Sequence, residues 1–242
     1  MLLGGPILTE KELTVSNSKD ENYNALQELA RREGATLFGV ADLEPLKESF
    51  NDLDPGAVDG LNRAVCVAYH LSDPVLEDIE NRPTHLYYFH YRRVNLLLDD
   101  LTLKLNARIQ DEGYDALPIP ASQVIDWDNQ LAHVSHKHVA VEAGMGWIGR
   151  NNLLVTPEYG SRVRLGTVLT DMPLPVDEPL QEDCGECRAC VNVCPAGAIA
   201  SAPEDFDHVG CYEKIREMIK EVNIGQNVCG VCVKACRGKR RE

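Results

Sequence analysis

The chain lacks any apolar run long enough to cross a bilayer, so no membrane span is expected. It is short of positive charge. In 242 residues, 24 Lys and Arg stand against 38 Asp and Glu, a formal charge of −14. A field of that sign repels nucleic acid and anionic membrane. There is no P-loop, so an ATP-driven activase is not supported, and no Ser-His-Asp pattern stands out. The start lacks a basic stretch followed by an apolar core. Arg31-Arg32 precedes a charged, glycine-containing stretch, which makes a poor twin-arginine leader. A cytoplasmic protein is the expectation.

Cysteine is what the chain does have, nine in all. Eight fall late, as Cys184-x-x-Cys187-x-x-Cys190-x-x-x-Cys194-Pro195, then Cys211, then Cys229-x-x-Cys232-x-x-x-Cys236. The first run is the bacterial ferredoxin spacing for a [4Fe–4S] cluster. Each iron of a cubane takes one thiolate, so eight cysteines make two cubanes. The fourth cysteine of a run ligates the other cluster in two-cluster ferredoxins. Cys184, Cys187, Cys190 and Cys236 are therefore expected on one cluster. Cys194, Cys211, Cys229 and Cys232 are expected on the second. Zinc favours paired Cys-x-x-Cys with a longer spacer, and a disulfide framework needs an oxidising compartment. The ninth cysteine, Cys66, lies in a strand-like apolar run and reads as a small core residue.

Periodicity divides the chain. Residues 1–20 read as an irregular arm. A helix is expected over 23–33, with Asn22 as its cap and Gly34 as its stop. Strands are expected at 36–40 and 64–69, with a turn-rich loop at 51–60 between them. Leu86, Val94, Leu97, Leu98, Leu101, Leu105 and Ile109 recur at three-four spacing and predict a long helix over 84–112. A strand at 116–120, a helix at 130–143 and strands at 152–156 and 162–170 follow. Alternating helices and strands argue an α/β domain over 21–175. The acidic, proline-rich stretch 171–183 places a boundary before a small α+β ferredoxin-like domain, 176–242.

Gly144-x-Gly146-x-x-Gly149 matches the dinucleotide fingerprint in letters alone. That site needs a strand before the glycines and a helix after them, and here the order is reversed. The glycines offer backbone that a large flat ligand can approach. Arg150, Asn151 and Asn152 add polar groups.

The segment from Ala143 to Gly160, followed by Arg164 to Asp171, resembles the core of the epoxyqueuosine reductase family. It is also similar to the reductive dehalogenases. In both a double [4Fe–4S] module follows. Tyr88-Phe89-His90 resembles the family's Asp-Tyr-His segment. The resemblance runs from about Gly34 to Cys236. It implies a corrinoid (cobalamin-type) cofactor in the α/β domain, with its macrocycle against Gly144, Gly146, Trp147, Ile148, Gly149, Arg150, Asn151 and Asn152. Ser122 and His133 join that cofactor-binding set. It also implies one cluster close to the cobalt, and [4Fe–4S] centres reach down to about −700 mV. The Asp-x-His-x-x-Gly motif of corrinoid carriers is absent.

The chain departs from the family where epoxyqueuosine reductases carry a proton-donor motif. Here stand Ser122, Asp126, Trp127, Asp128 and then His133, His136 and His138. The second cysteine run ends Cys236-Arg237, and the family's helical-repeat extension does not follow. With the net charge, this argues against tRNA as a partner. Asp126, His136 and Tyr88 are the catalytic candidates, and Trp127 could raise the Asp126 pKa. The expected function is a corrinoid-dependent reductase of a small molecule, fed by a donor such as ferredoxin or flavodoxin. An electron-transfer partner for another corrinoid protein and a corrinoid carrier are the rivals. The basic residues Arg237, Lys239, Arg240 and Arg241 are a candidate docking site for an acidic donor.

Overall fold

The computed structural model describes residues 18–239. The arm expected over 1–20 therefore lies almost wholly outside the described residues, as do Arg240 and Arg241. Helix α1, Lys19–Arg32, opens on Ser18 rather than Asn22. Ser18 and Glu21 form a reciprocal capping box, which satisfies two otherwise orphaned N–H groups. Asn22 is buried instead, and its Nδ2 donates to the Pro173 carbonyl at 3.1 Å.

Four strands form the main sheet: β1 (Leu37–Asp42), β2 (Arg63–His70), β3 (Ala116–Ile119) and β6 (Val163–Thr170). Their order is β1-β2-β6-β3, and every pairing is antiparallel. Side chains of a strand alternate between faces. Val65 and Val67 thus enter one core with Leu98, Leu101 and Leu105 of helix α4 (His85–Asp111). Ala64, Cys66 and Ala68 enter the other, with Val139 and Ala140 of helix α5 (His136–Glu142). Short helices α2 (Pro55–Val58) and α3 (Asp73–Glu77) flank β2.

Helix α5 starts six residues later than its periodicity predicts. Residues before it close a turn on Asp126, whose carboxylate accepts from the backbone of Asp128 and Asn129 and whose strand bridge meets Leu131. The predicted strand at 152–156 shrinks to β5 (Leu154–Val155), paired with β4 (Trp147–Ile148).

The acidic linker is packed rather than loose. Met172 and Leu174 are fully buried, and Asp177 accepts from the Val40 N–H and from the Tyr23 hydroxyl. Beyond it come α6 (Ala189–Val193), α7 (His208–Val222) and α8 (Val231–Ala235). Ile224, Val228 and Val231 join the same core as α4, so the cysteine region is built onto the α/β part. Among the described residues no helix is long and apolar enough to cross a membrane.

Candidate functional site

Helices α6 and α8 explain how two similar cysteine runs serve two places. Each carries one cysteine near its start, Cys190 in α6 and Cys232 in α8. Each ends on another, Cys194 or Cys236, whose extended backbone turns the chain out of the helix. The two helices pack against each other. Cys184, Cys187, Cys190 and Cys236 line one cavity of about 540 Å³. Cys194, Cys211, Cys229 and Cys232 line a second of about 250 Å³. Asn151 belongs to both walls and is buried, with its Nδ2 donating to Ser161 Oγ at 3.0 Å.

The cavities suit a polynuclear centre. Among the described residues no three His, Cys, Asp or Glu side chains close around a single ion. A cubane asks instead for one thiolate per iron around a wider core. Burial, with repulsion from neighbouring thiolates, pushes Cys190 and Cys211 up to about 11 and Cys232 well above the ordinary thiol value. Four such groups ionise together only when cationic iron compensates them.

The glycine segment serves packing. A Cβ on Gly144 would lie 2.6 Å from the Glu178 carbonyl oxygen, and one on Gly146 2.1 Å from that of Val155. One on Gly149 would lie 2.4 Å from Val155 Cγ2. At all three positions the space a side chain would take is filled by the chain itself. Trp147 is buried and pairs across to Val155, and Ile148 pairs with Leu154. Arg150 donates to the carbonyls of Gly185, Cys187 and Ser201 at 2.6–2.9 Å, clamping the first cysteine loop. Asn152 takes a left-handed φ of 55° and accepts from Lys137 Nζ, while its Nδ2 meets His208 Nε2.

A further cavity of about 230 Å³ adjoins the second cysteine cavity, and the two share Tyr87, Leu153, Arg164 and Val233. A corrin macrocycle exceeds the drug-sized ligands whose pockets span about 300–1,000 Å³. Neither this cavity nor the second cysteine cavity holds such a ring by itself; the corrinoid that the kinship implies would lie across the space the two share at Tyr87, Leu153, Arg164 and Val233.

The nominated side chains scatter. Ser122 does reach this cavity, with its Oγ 2.8 Å from the Tyr91 hydroxyl and bonded to Arg164. His136 reaches it too. Its Nδ1 meets Thr167 Oγ1 at 2.7 Å and its Nε2 meets the Pro120 carbonyl at 3.0 Å. A carbonyl only accepts, so Nε2 carries the proton and Nδ1 accepts from the hydroxyl. Burial holds its pKa down at about 4, which leaves it neutral and without a proton to give at neutral pH.

His133 lies away from all three cavities, 2.9 Å from the Asn51 carbonyl. Tyr88 lies off them as well, with its hydroxyl accepting from Arg92. Asp126 is corrected in environment: hydrogen bonds from the Asn129 side chain and backbone hold its carboxyl below the usual range. Trp127 turns to stack on Tyr212 and does not desolvate it. The basic tail is partly spent inside the chain, since Arg237 pairs with Glu77 and Lys239 with Glu182.

Two cavity residues escaped the sequence reading. Burial lowers Lys137 to about 8, and its Nζ is held by Asn152. Arg164 sits 4.3 Å over the Tyr91 ring and donates to Asn95 Oδ1. An arginine within the apolar run of β6 was the available signal.

No protein-family model matches the chain. An epoxyqueuosine reductase of Vibrio cholerae is 44% identical over 203 residues, 80% of this chain and 48% of that protein. One of Bacillus anthracis is 36% identical over 105 residues, 43% of this chain and 26% of that protein. The chain thus spans at most about half the length of these two relatives. Among solved structures, a catabolic reductive dehalogenase with 3-bromo-4-hydroxybenzoic acid covers 96% of this chain and 34% of its own, at TM-score 0.74 and 23% identity. An epoxyqueuosine reductase with an epoxyqueuosine-modified tRNA stem loop covers 72% of this chain and 52% of its own, at TM-score 0.51 and 20% identity. That complex overturns the argument against tRNA. Net charge is a sum over the chain and says nothing of a local nucleic-acid surface. The sequence relatives also give no support to a free small-molecule substrate. The chain is a relative of the epoxyqueuosine reductases and shares its fold with them and with the reductive dehalogenases.

Proposed function

We propose that this chain is the iron–sulfur reductase part of an enzyme that reduces an epoxide-bearing nucleoside in tRNA. One observation carries the reading: eight cysteines fall into two sets of four around two cavities with a common wall at Asn151. Cys184, Cys187, Cys190 and Cys236 hold one [4Fe–4S] cluster, and Cys194, Cys211, Cys229 and Cys232 the other. The first is the entry point, because Cys187 is exposed. The second is the exit, because its cavity opens on the space between Tyr87, Arg164 and Lys137.

Removing an epoxide oxygen to leave an alkene takes two electrons and two protons and releases water. The clusters pass the electrons one at a time. Lys137 is the proton donor the site offers, because a pKa of about 8 leaves it charged yet able to give its proton near neutrality. Among the described residues Arg164 has no carboxylate partner within ion-pair distance, and it adds a fixed positive charge beside the developing alkoxide. The kinship in sequence supports the substrate class.

The test is anaerobic reconstitution with iron, sulfide and hydroxocobalamin, then incubation with an epoxyqueuosine-containing tRNA stem loop and dithionite. About eight irons per chain and loss of one oxygen from the nucleoside are expected. About four irons would break the cysteine assignment. Eight irons with an unchanged nucleoside would overturn the substrate.

A further inference from the structure

Helix α4 has two apolar faces, and the fold uses only one. Val94, Leu98, Leu101, Leu105 and Ile109 are buried in the main core. On the outer side Leu86, Phe89, Leu96 and Leu103 are each more than half exposed. Phe89, Leu96 and Leu103 repeat every seven residues, and Leu86 lies one turn before Phe89. They form one stripe, the narrow seam of a helix that pairs with another helix.

The charges beside the stripe are ordered about Leu96. Arg92 and Arg93 precede it by four and three residues, and Asp99 and Asp100 follow it by three and four. None of the four is in an ion pair among the described residues. Arg92 donates to the Tyr88 hydroxyl, and half-buried Asp99 accepts from the Ala121 N–H, so neither bond brings an opposite charge. Turning this helix end over end about Leu96 exchanges Arg92 and Arg93 for Asp100 and Asp99, and Phe89 for Leu103.

We propose that a second copy of this chain docks antiparallel on α4, with the two-fold axis at Leu96. Leu96 then meets the partner's Leu96, and Phe89 meets the partner's Leu103. Arg92 faces the partner's Asp99 on one flank of the seam, and Arg93 faces the partner's Asp100 on the other. A two-fold interface must be complementary to itself, and this antisymmetric charge order satisfies that condition. A parallel pairing would set like charges side by side. Helix α4 is about 40 Å long and 10–12 Å wide, a footprint of about 400 Å². That is half the ~800 Å² per partner of a standard stable interface, so the dimer is reversible and concentration-dependent.

Sedimentation velocity on the cluster-loaded protein tests this. The wild type is expected to move from monomer to dimer as concentration rises to about 100 μM, and less so in high salt. L96D sets two carboxylates together on the axis and should weaken association at least tenfold. R93E and D100K should each weaken it severalfold. Mixing the R93E and D100K proteins should restore the dimer, because each copy then carries the charge the other lacks. A wild type that stays monomeric, an L96D variant that associates as before, or a mixture no better than its components would each overturn the proposal. All three positions are solvent-facing, and the mixing experiment stands even if L96D is poorly folded.

Discussion

The two cysteine cavities carry the same motif in different surroundings. The outer one is roomier and rimmed by charged side chains, Asp183, Glu186, Arg237 and Lys239, with Cys187 exposed. The inner one has less than half the volume and is walled by Tyr87, Ile199, Met218 and Val228, all residues of apolar packing. Burial pushes up Cys211, Cys229 and Cys232 of the inner set and Cys190 of the outer set. The motif sets how many irons each site can hold. The surroundings set how tightly each site is tied to the rest of the fold. Val228, Val231 and Cys229 belong to or pack on the core of α4, so the inner site is part of that core and the outer site is an attachment to it.

The sharpest way to break this contrast is to remove one ligand from each set. C187S and C232S should each halve the iron content, to about four per chain. C232S should also destabilise the protein by about 2 kcal/mol more, because it disturbs a packed wall. Iron and sulfide assays with anaerobic denaturant melts read both effects. Equal stability losses would erase the distinction.

A smaller effect should separate the turns at the two sites. Gly230 has φ +83°, and a Cβ there would sit 2.6 Å from the Tyr87 ring. Gly185 has φ +48°, with nothing closer to its Cβ position than 4.0 Å. G230A should cost about 2–4 kcal/mol, from strain and overpacking together. G185A should cost about 1 kcal/mol, from the left-handed backbone alone. Thermal melts of the two variants give the comparison.

The smallest expected effect is a pH dependence that belongs to the inner side only. Lys137 gives its proton while charged, so turnover should hold below pH 8 and fall above it, about tenfold per pH unit. K137M should show low turnover without that fall. Outer-site electron uptake, followed by bleaching of the cluster absorption, should not change across the same range.

Much of the frame was legible in the chain. Strand β2 and helix α4 lie within a residue of where alternation and three-four spacing place them, because long periodic segments carry redundant signal. Helix α5 was misplaced at its start because a local carboxylate turn at Asp126 competes with helical hydrogen bonding. Helix α1 took Ser18 as its cap, since Ser18 with Glu21 completes a capping box that Asn22 cannot.

By itself the sequence nominated the two sets of cysteines, since a fixed number of thiolates per iron makes spacing informative, and the fold gathers each set around its own cavity. It also carried the kinship. Only the tertiary structure decided what the glycines do. A glycine reads the same whether a ligand or the chain's own carbonyl approaches it, and here Glu178 and Val155 fill those faces. The tertiary structure likewise brought Lys137 and Arg164, 27 residues apart in the chain, to one cavity wall beside the inner cysteines. It neutralised His136 and set Asp126 apart. Burial and partner geometry fix a proton's affinity, and neither is written in the order of residues.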